Sequence, residues 1–363
     1  MSAKINETSS KPIYLQLYEK TKKDIVDGVY GRGDKLPSKR TVAEESGVSV
    51  ISVEHAYGLL CDEGYVESKQ RSGFFVTFSA RDGFVSAENT TAVVHAQPRK
   101  SNRPVFPFSV LTKTMRRVIS DYGEEILEKS PSSGCVQLKG ALAKYLAQNR
   151  GIHADVSQII VGSGAEYLYG LIVGLLGKEL VYGIEDPSYE KIEKVYRASG
   201  VKCELLSLGN NGIKSGALAK TSAQVLHVSP YRSFPTGVTA NASKRHEYIR
   251  WANKKSNRII IEDDFESEFS VSTKPEETLF TLGNGNVIYM NTFSLTVSPS
   301  LRVGYMVIPQ SLVKTFNEKL GFYSCTVPTF EQFVLAELIS RGDFARHVNS
   351  VRRKKRAEQK SEK

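Results

Sequence analysis

The chain has 363 residues, 40% of them hydrophobic and 24% charged, and a formal net charge of +10. That length favours two domains over one, and the composition is that of a folded globular protein, not a disordered or fibrous one. No apolar run reaches the roughly 18 residues that a membrane-crossing helix needs.

The polar start MSAKINETSSKP lacks the apolar core of a signal peptide, so the protein is expected in the cytoplasm. Cys61, Cys135, Cys203 and Cys325 are scattered, without a CxxC pair. They read as reduced thiols, not a disulfide frame or zinc site. The histidines also lack metal-ligand spacing, so no metal is expected. A basic protein invites a nucleic-acid reading, but the charge is unevenly placed. Residues 1–80 hold 11 Lys/Arg and 11 Asp/Glu, whereas residues 341–363 hold 9 and 3. The case for DNA binding therefore has to come from pattern.

Residues 12–27 place Tyr14, Leu17, Tyr18, Thr21 and Ile25 on one helical face, with Pro12 in the first turn and Gly28 at the end. Ser38 can cap a short helix from Lys39 to Ser46. Gly47 permits a turn, and a second helix follows Ser49 with Val53, Ala56, Tyr57 and Leu60 at core spacing. Two short helices joined at a glycine predict a helix-turn-helix, whose second helix enters the major groove. YVESKQRSGFFV then alternates and turns near Ser72-Gly73, predicting a hairpin wing with Lys69 and Arg71 near its tip. The same helices could also serve protein interaction, a reading the neutral charge favours.

The run LPSKRTVAEESGVSVISVEHAYGLLCDEGYVESKQRSGFFV resembles the GntR family of transcription regulators. The likeness lies in the LPS-x-R start, the GVS turn, the AY pair, the EGY exit and the GFFV wing end. It implies a winged helix-turn-helix over residues 11–77 that binds double-stranded DNA. Ser38, Arg40, Ser49, Ser52, Lys69, Arg71 and Gly73 fall at or beside the family's phosphate- or base-contacting positions. Where the family usually carries Arg after the turn serine, this chain has Val50. An altered or weaker sequence preference follows as an expectation, because a bidentate guanine contact is lost.

Residues 78–104 are polar and aperiodic and read as a linker. Its cluster Arg99, Lys100 and Arg103 is either solvated or a contact to DNA backbone. From about residue 135 the chain alternates β-rich runs (QIIVGSG, ELVYGIEDP, KCELLSL, QVLHVSP, RIIIEDD, VIYMNTF, RVGYMVIP) with amphipathic stretches such as GALAKYLAQNR and SKRHEYIRWANKK. That alternation predicts an α/β domain around a mostly parallel sheet, with ligands gathering past the strand ends. Gly162-Ser163-Gly164-Ala165 follows a strand and opens a helix, which offers backbone N–H groups to an anion. Such a turn is also commonly structural.

The order GSGAE, EDPSY, SPYRSFPTG, IIIEDDFESEF, YMNTFSLTVSPSLRVGYMVIP resembles the fold-type I aminotransferase domain of MocR-type regulators, a GntR subgroup. The resemblance implies an aminotransferase-like effector and dimerisation domain over residues 105–363, with the small C-terminal domain largely missing. It also implies pyridoxal phosphate (PLP) chemistry. Ala165 and Glu166 would meet the phosphate through N–H groups. Tyr189 would stack on the ring and Asp263 would pair the pyridine nitrogen. Thr292, Ser294 and Arg302 would serve the phosphate.

The departures are chemical. The family's TFSK is Thr292-Phe293-Ser294-Leu295 here, so the Schiff-base lysine is Leu295. The tyrosine of EDDYD is Phe265, the glutamine after the Gly-Ala turn is Glu166, and the His-Gln before FPTG is Arg232-Ser233. Loss of the lysine removes covalent catalysis. The chain is therefore expected to be a dimeric DNA-binding regulator and not an enzyme. PLP would be held at most non-covalently, and a small amino compound is a possible effector. The alternatives are a PLP-dependent aminotransferase-like enzyme, or a DNA-binding remnant on a vestigial second domain. The basic end RRKKRAEQKSEK is either a phosphate-backbone contact or the start of a helix lacking its partner.

Overall fold

The computed structural model describes residues 11–70, 72–78, 106–264, 267–270 and 277–361. The chain divides into two compact units, residues 1–99 and 100–363. Arg71, Phe265 and the expected linker beyond Phe78, with Arg99, Lys100 and Arg103, lie outside the described residues.

The first unit contains helices α1 (Ile13–Val26), α2 (Lys39–Ser46) and α3 (Val50–Asp62) and the hairpin β1 (Val66–Lys69) and β2 (Gly73–Val76). Three of the five residues predicted to face the core from the first helix are buried: Leu17, Tyr18 and Ile25. All four of the third helix are buried, and they share one core with Leu36, Val66 and Val76. Gly47 ends α2 with φ +65°, a left-handed conformation open to glycine at no steric cost. The wing is stitched to the chain before α2: Leu36 N–H donates to Phe74 O at 2.9 Å, and Val76 N–H to Asp34 O at 2.9 Å.

The second unit runs α4 (Phe108–Tyr122), α5 (Val136–Arg150), β3 (Ile159–Gly162), α6 (Ala165–Leu176), β4 (Val181–Asp186), α7 (Glu190–Ala198), β5 (Lys202–Gly209), β6 (Gly212–Ile213), α8 (Ser215–Lys220), β7 (Val225–Val228) and α9 (Ala242–Asn253). It continues with β8 (Ile259–Asp263), α10 (Leu279–Leu282), β9 (Val287–Thr292), β10 (Gly304–Val307), α11 (Gln310–Leu320), α12 (Thr329–Ser340) and α13 (Asp343–Ser361). The seven predicted β-rich runs all form strands. Their order in the sheet is β3-β10-β9-β8-β7-β4-β5-β6.

Strands β5, β4, β7, β8 and β9 pair in parallel, whereas β10 is antiparallel to both β3 and β9. The sheet is thus mixed. Both faces are covered, as crossover helices require. On β10, Tyr305 and Val307 enter a cluster with α5, α12 and α13, while Met306 enters another with α6, α7 and α11. A third cluster, on α8 and α9, closes the far end around Leu226 and Val228.

Candidate functional site

Two sites emerge, one in each unit. In the first, Ser38 and Ser49 cap the two helices of the turn. Ser38 Oγ accepts from Thr41 N–H and Ser49 Oγ from Ser52 N–H, each at 3.1 Å. Each cap satisfies one orphan N–H of its helix and leaves others free for an anion. Arg40 is exposed on α2. At the wing, Gly73 pairs with Lys69 in the hairpin register. Lys69 is exposed, bound to Glu67 at 2.9 Å and lying over the Phe75 ring at 4.9 Å. Helix starts, hydroxyls and cations of these kinds are what contacts the phosphate backbone in protein–DNA complexes, whereas bases are read in the grooves.

The second site is a cleft of about 270 Å³ at the ends of β4, β7, β8 and β9, at the low end for ligand pockets. All seven residues singled out from the sequence line it: Ala165, Glu166, Tyr189, Asp263, Thr292, Ser294 and Arg302. Leu295 lines it as well. The turn before α6 has Gly164 at φ +93°, and a Cβ there would stand 3.1 Å from Arg302 Nη2. The positive φ calls for glycine, and the missing Cβ leaves room for the guanidinium to lie against the helix start.

Asp263 is nearly buried and is held by groups the sequence did not single out. Tyr169 O–H donates to its Oδ2 at 2.7 Å, and His227 Nε2 lies 3.4 Å from the same oxygen. His227 Nδ1 in turn meets the Tyr196 hydroxyl, Oη, at 2.7 Å. Burial and the adjoining Asp263 charge push the Tyr169 hydroxyl well above its ordinary pKa, so it stays a donor. Tyr169 lies one helical turn past Ala165, a spacing that could have flagged it. Its neighbour Asp264 pairs with Arg150 at 2.8 Å and accepts from Tyr289 O–H at 2.5 Å. Ser233 is buried and donates to Glu185 Oε2 at 2.6 Å. Burial pushes Glu185 up to about 7, against the Ser233 and Ser229 hydrogen bonds that lower it. Tyr189 and Phe234 meet edge to face at 5.9 Å over the mouth.

Glu166, in the first turn of α6, ion-pairs with Arg302 and with Lys191 Nζ, the latter at 2.7 Å. Burial raises its pKa, but the Lys191 and Arg302 hydrogen bonds outweigh that and hold it below the usual carboxylate value. The anion-attracting start of α6 is therefore served by the chain's own carboxylate.

A family model for bacterial regulatory proteins of the gntR family matches residues 13–76. Over 97% of its length the chain is 32% identical to the HTH-type transcriptional regulator YdeL of Bacillus subtilis, spanning 79% of that protein. The chain belongs to the GntR family, in its MocR subgroup. Another relative is the probable rhizopine catabolism regulatory protein MocR of Rhizobium meliloti, 28% identical over 96% of this chain and 76% of that one. Among solved structures, a kynurenine aminotransferase of Pyrococcus horikoshii, solved in complex with PMP, superposes with TM-score 0.62 at 25% identity. That match covers 70% of this chain and 66% of the aminotransferase.

This GntR-family protein is thus a DNA-binding transcription regulator with an aminotransferase-like second domain. No lysine is among the described lining residues of the cleft, Leu295 offers only methyl groups, and Arg302 is taken by Glu166. Among the described residues, no group of His, Cys, Asp or Glu is placed to hold a metal ion, and no helix is long and apolar enough to cross a membrane.

Proposed function

We propose that residues 11–77 bind operator DNA through Ser38, Arg40, Ser49, Ser52, Lys69, Arg71 and Gly73. Residues 78–104 then act as a linker to a non-catalytic effector and dimerisation domain over residues 105–363. A homodimer would present two winged helices to two half-sites, matching a two-fold operator. The observation that carries the non-catalytic reading is Leu295. It lines the cleft and packs against the apolar cluster beneath, and a leucine has no amine to join an aldehyde. Asp263, Tyr189, Thr292 and Ser294 remain around the cavity, which supports a non-covalent ligand such as PLP or a small amino compound.

The test is a calorimetric titration of PLP into the chain and into Leu295→Lys. Saturable binding to the chain as it stands, with no absorbance band of a lysine adduct, supports a non-covalent sensor. Binding only to the lysine variant means that the cleft is intact and Leu295 disables it. If neither binds, the second unit is a scaffold, which is the vestigial reading.

A further inference from the structure

Over the first six residues of α3 the exposed side chains are Val50, Ile51, Glu54 and His55, while Val53 faces the core with Ala56, Tyr57 and Leu60 further on. Val50 is 41% and Ile51 65% exposed. Both stand in the first turn, directly after the cap Ser49. In helix-turn-helix proteins this turn of the second helix meets base edges. Packing does not account for the two side chains, since neither belongs to the first unit's core. Nor does helix propensity, because β-branched residues are slightly unfavourable in helices.

This exposed set carries no lysine or arginine. Its carboxylate, Glu54, is bound by Lys39 Nζ at 2.6 Å, which engages the one lysine of α2 as well. His55 lies edge-on to Tyr14 at 5.9 Å. The groups that read guanine bidentately are therefore missing from this turn. What the turn offers at its tip is methyl groups. In the major groove one base presents a matching apolar group, the C5-methyl of thymine.

We propose that Val50 and Ile51 read thymine methyl groups, so that A·T pairs beneath the first turn of α3 define the operator half-site. Phosphate contacts from the helix starts and wing hold the domain in register without regard to sequence. The proposal rests on the DNA-reading role of the first unit, and names what that unit recognises.

Duplexes enriched from a random library by the full chain are rebound after each thymine is replaced by deoxyuridine, which deletes only the methyl group. The expected result is a loss of about fourfold in affinity per contacted methyl. The Val50→Ala, Ile51→Ala double variant should bind thymine and deoxyuridine duplexes alike. Both positions are exposed and alanine is the better helix former, so an unchanged melting transition checks that the variant folds. Equal binding of both duplexes by the parent chain overturns the proposal, as does enrichment of G·C half-sites whose affinity the double variant leaves unchanged. If no duplex is bound even at low salt, the DNA-reading role itself fails, which is distinguishable because the salt-dependent affinity vanishes too.

Discussion

Glu166 and Arg302, 136 residues apart in the chain, form an ion pair across the turn that opens α6. A helix start, an arginine and Lys191 converge there, an arrangement that attracts anions, and the anion they hold is a carboxylate of the same chain. A phosphate entering the cleft would have to separate that pair and sit beside a like charge.

Glu166→Gln should therefore bind inorganic phosphate and PLP roughly tenfold more tightly than the parent chain. The ion pair is half exposed, so its loss should cost the fold less than about 1 kcal/mol. Calorimetric titrations of both chains, with a thermal melt as control, check this. Equal affinities would mean that Glu166 swings aside freely.

Glu185 and Glu262 are buried, and burial lifts both carboxyls from an ordinary 4.5 to about 7. Below 4.5 both folded and unfolded chains are protonated there. Between 4.5 and 7 only the unfolded chain ionises, so these groups make the second unit less stable as pH rises through that window, and the loss levels off above it. Glu185→Gln keeps an acceptor for Ser233 and cannot ionise. It should shrink the stability difference between pH 5 and pH 8 by about 1–3 kcal/mol, read by chemical denaturation at both values. An unchanged difference would show that Glu185 ionises readily in the fold.

Arg40 is exposed on α2, beside the capped helix start. Arg40→Ala should weaken binding to specific and random duplexes by similar factors and reduce the slope of log affinity against log salt by about 1. Titrations at several salt concentrations measure the slope. A loss confined to one operator sequence would instead place Arg40 on a base edge.

Ser49 both caps α3 and faces the expected DNA surface. Ser49→Ala should destabilise α3 by about 1 kcal/mol, and Ser49→Gly by only a few tenths, seen as faster hydrogen exchange of α3 amides in the free full-length chain. If exchange is unaltered while DNA affinity falls, the serine acts on DNA alone.

The helix-turn-helix was legible because its signals are local. Ser38, Gly47 and Ser49 announce caps and a turn, and Val53, Ala56, Tyr57 and Leu60 keep a helical period. The seven strands were legible as apolar runs. Strand direction was not: all four residues of β10 are buried, so the run carries no alternation to show which way it lies. The two-residue β6 is too short to signal at all. In the cleft, the lining residues were legible through the resemblance to the aminotransferase domain, and the turn at residues 162–165 also from its place between a strand and a helix. Their electrostatic partners were not, because Asp263 finds Tyr169 and His227, and Glu166 finds Arg302, only through the fold.

The place of β10 has a consequence for how the protein is made. Strand β3 is an outer strand of the sheet, and its neighbour there is β10, antiparallel, with Gly162 opposite Gly304. On a ribosome β3 must wait for more than a hundred further residues to emerge before it has a strand to join, and contacts of such long range are slow to form. Gly164 and Arg302 flank those two paired glycines in the chain. The approach of Arg302 to Gly164 therefore cannot form until the parallel strands β4, β7, β8 and β9 have all left the exit tunnel.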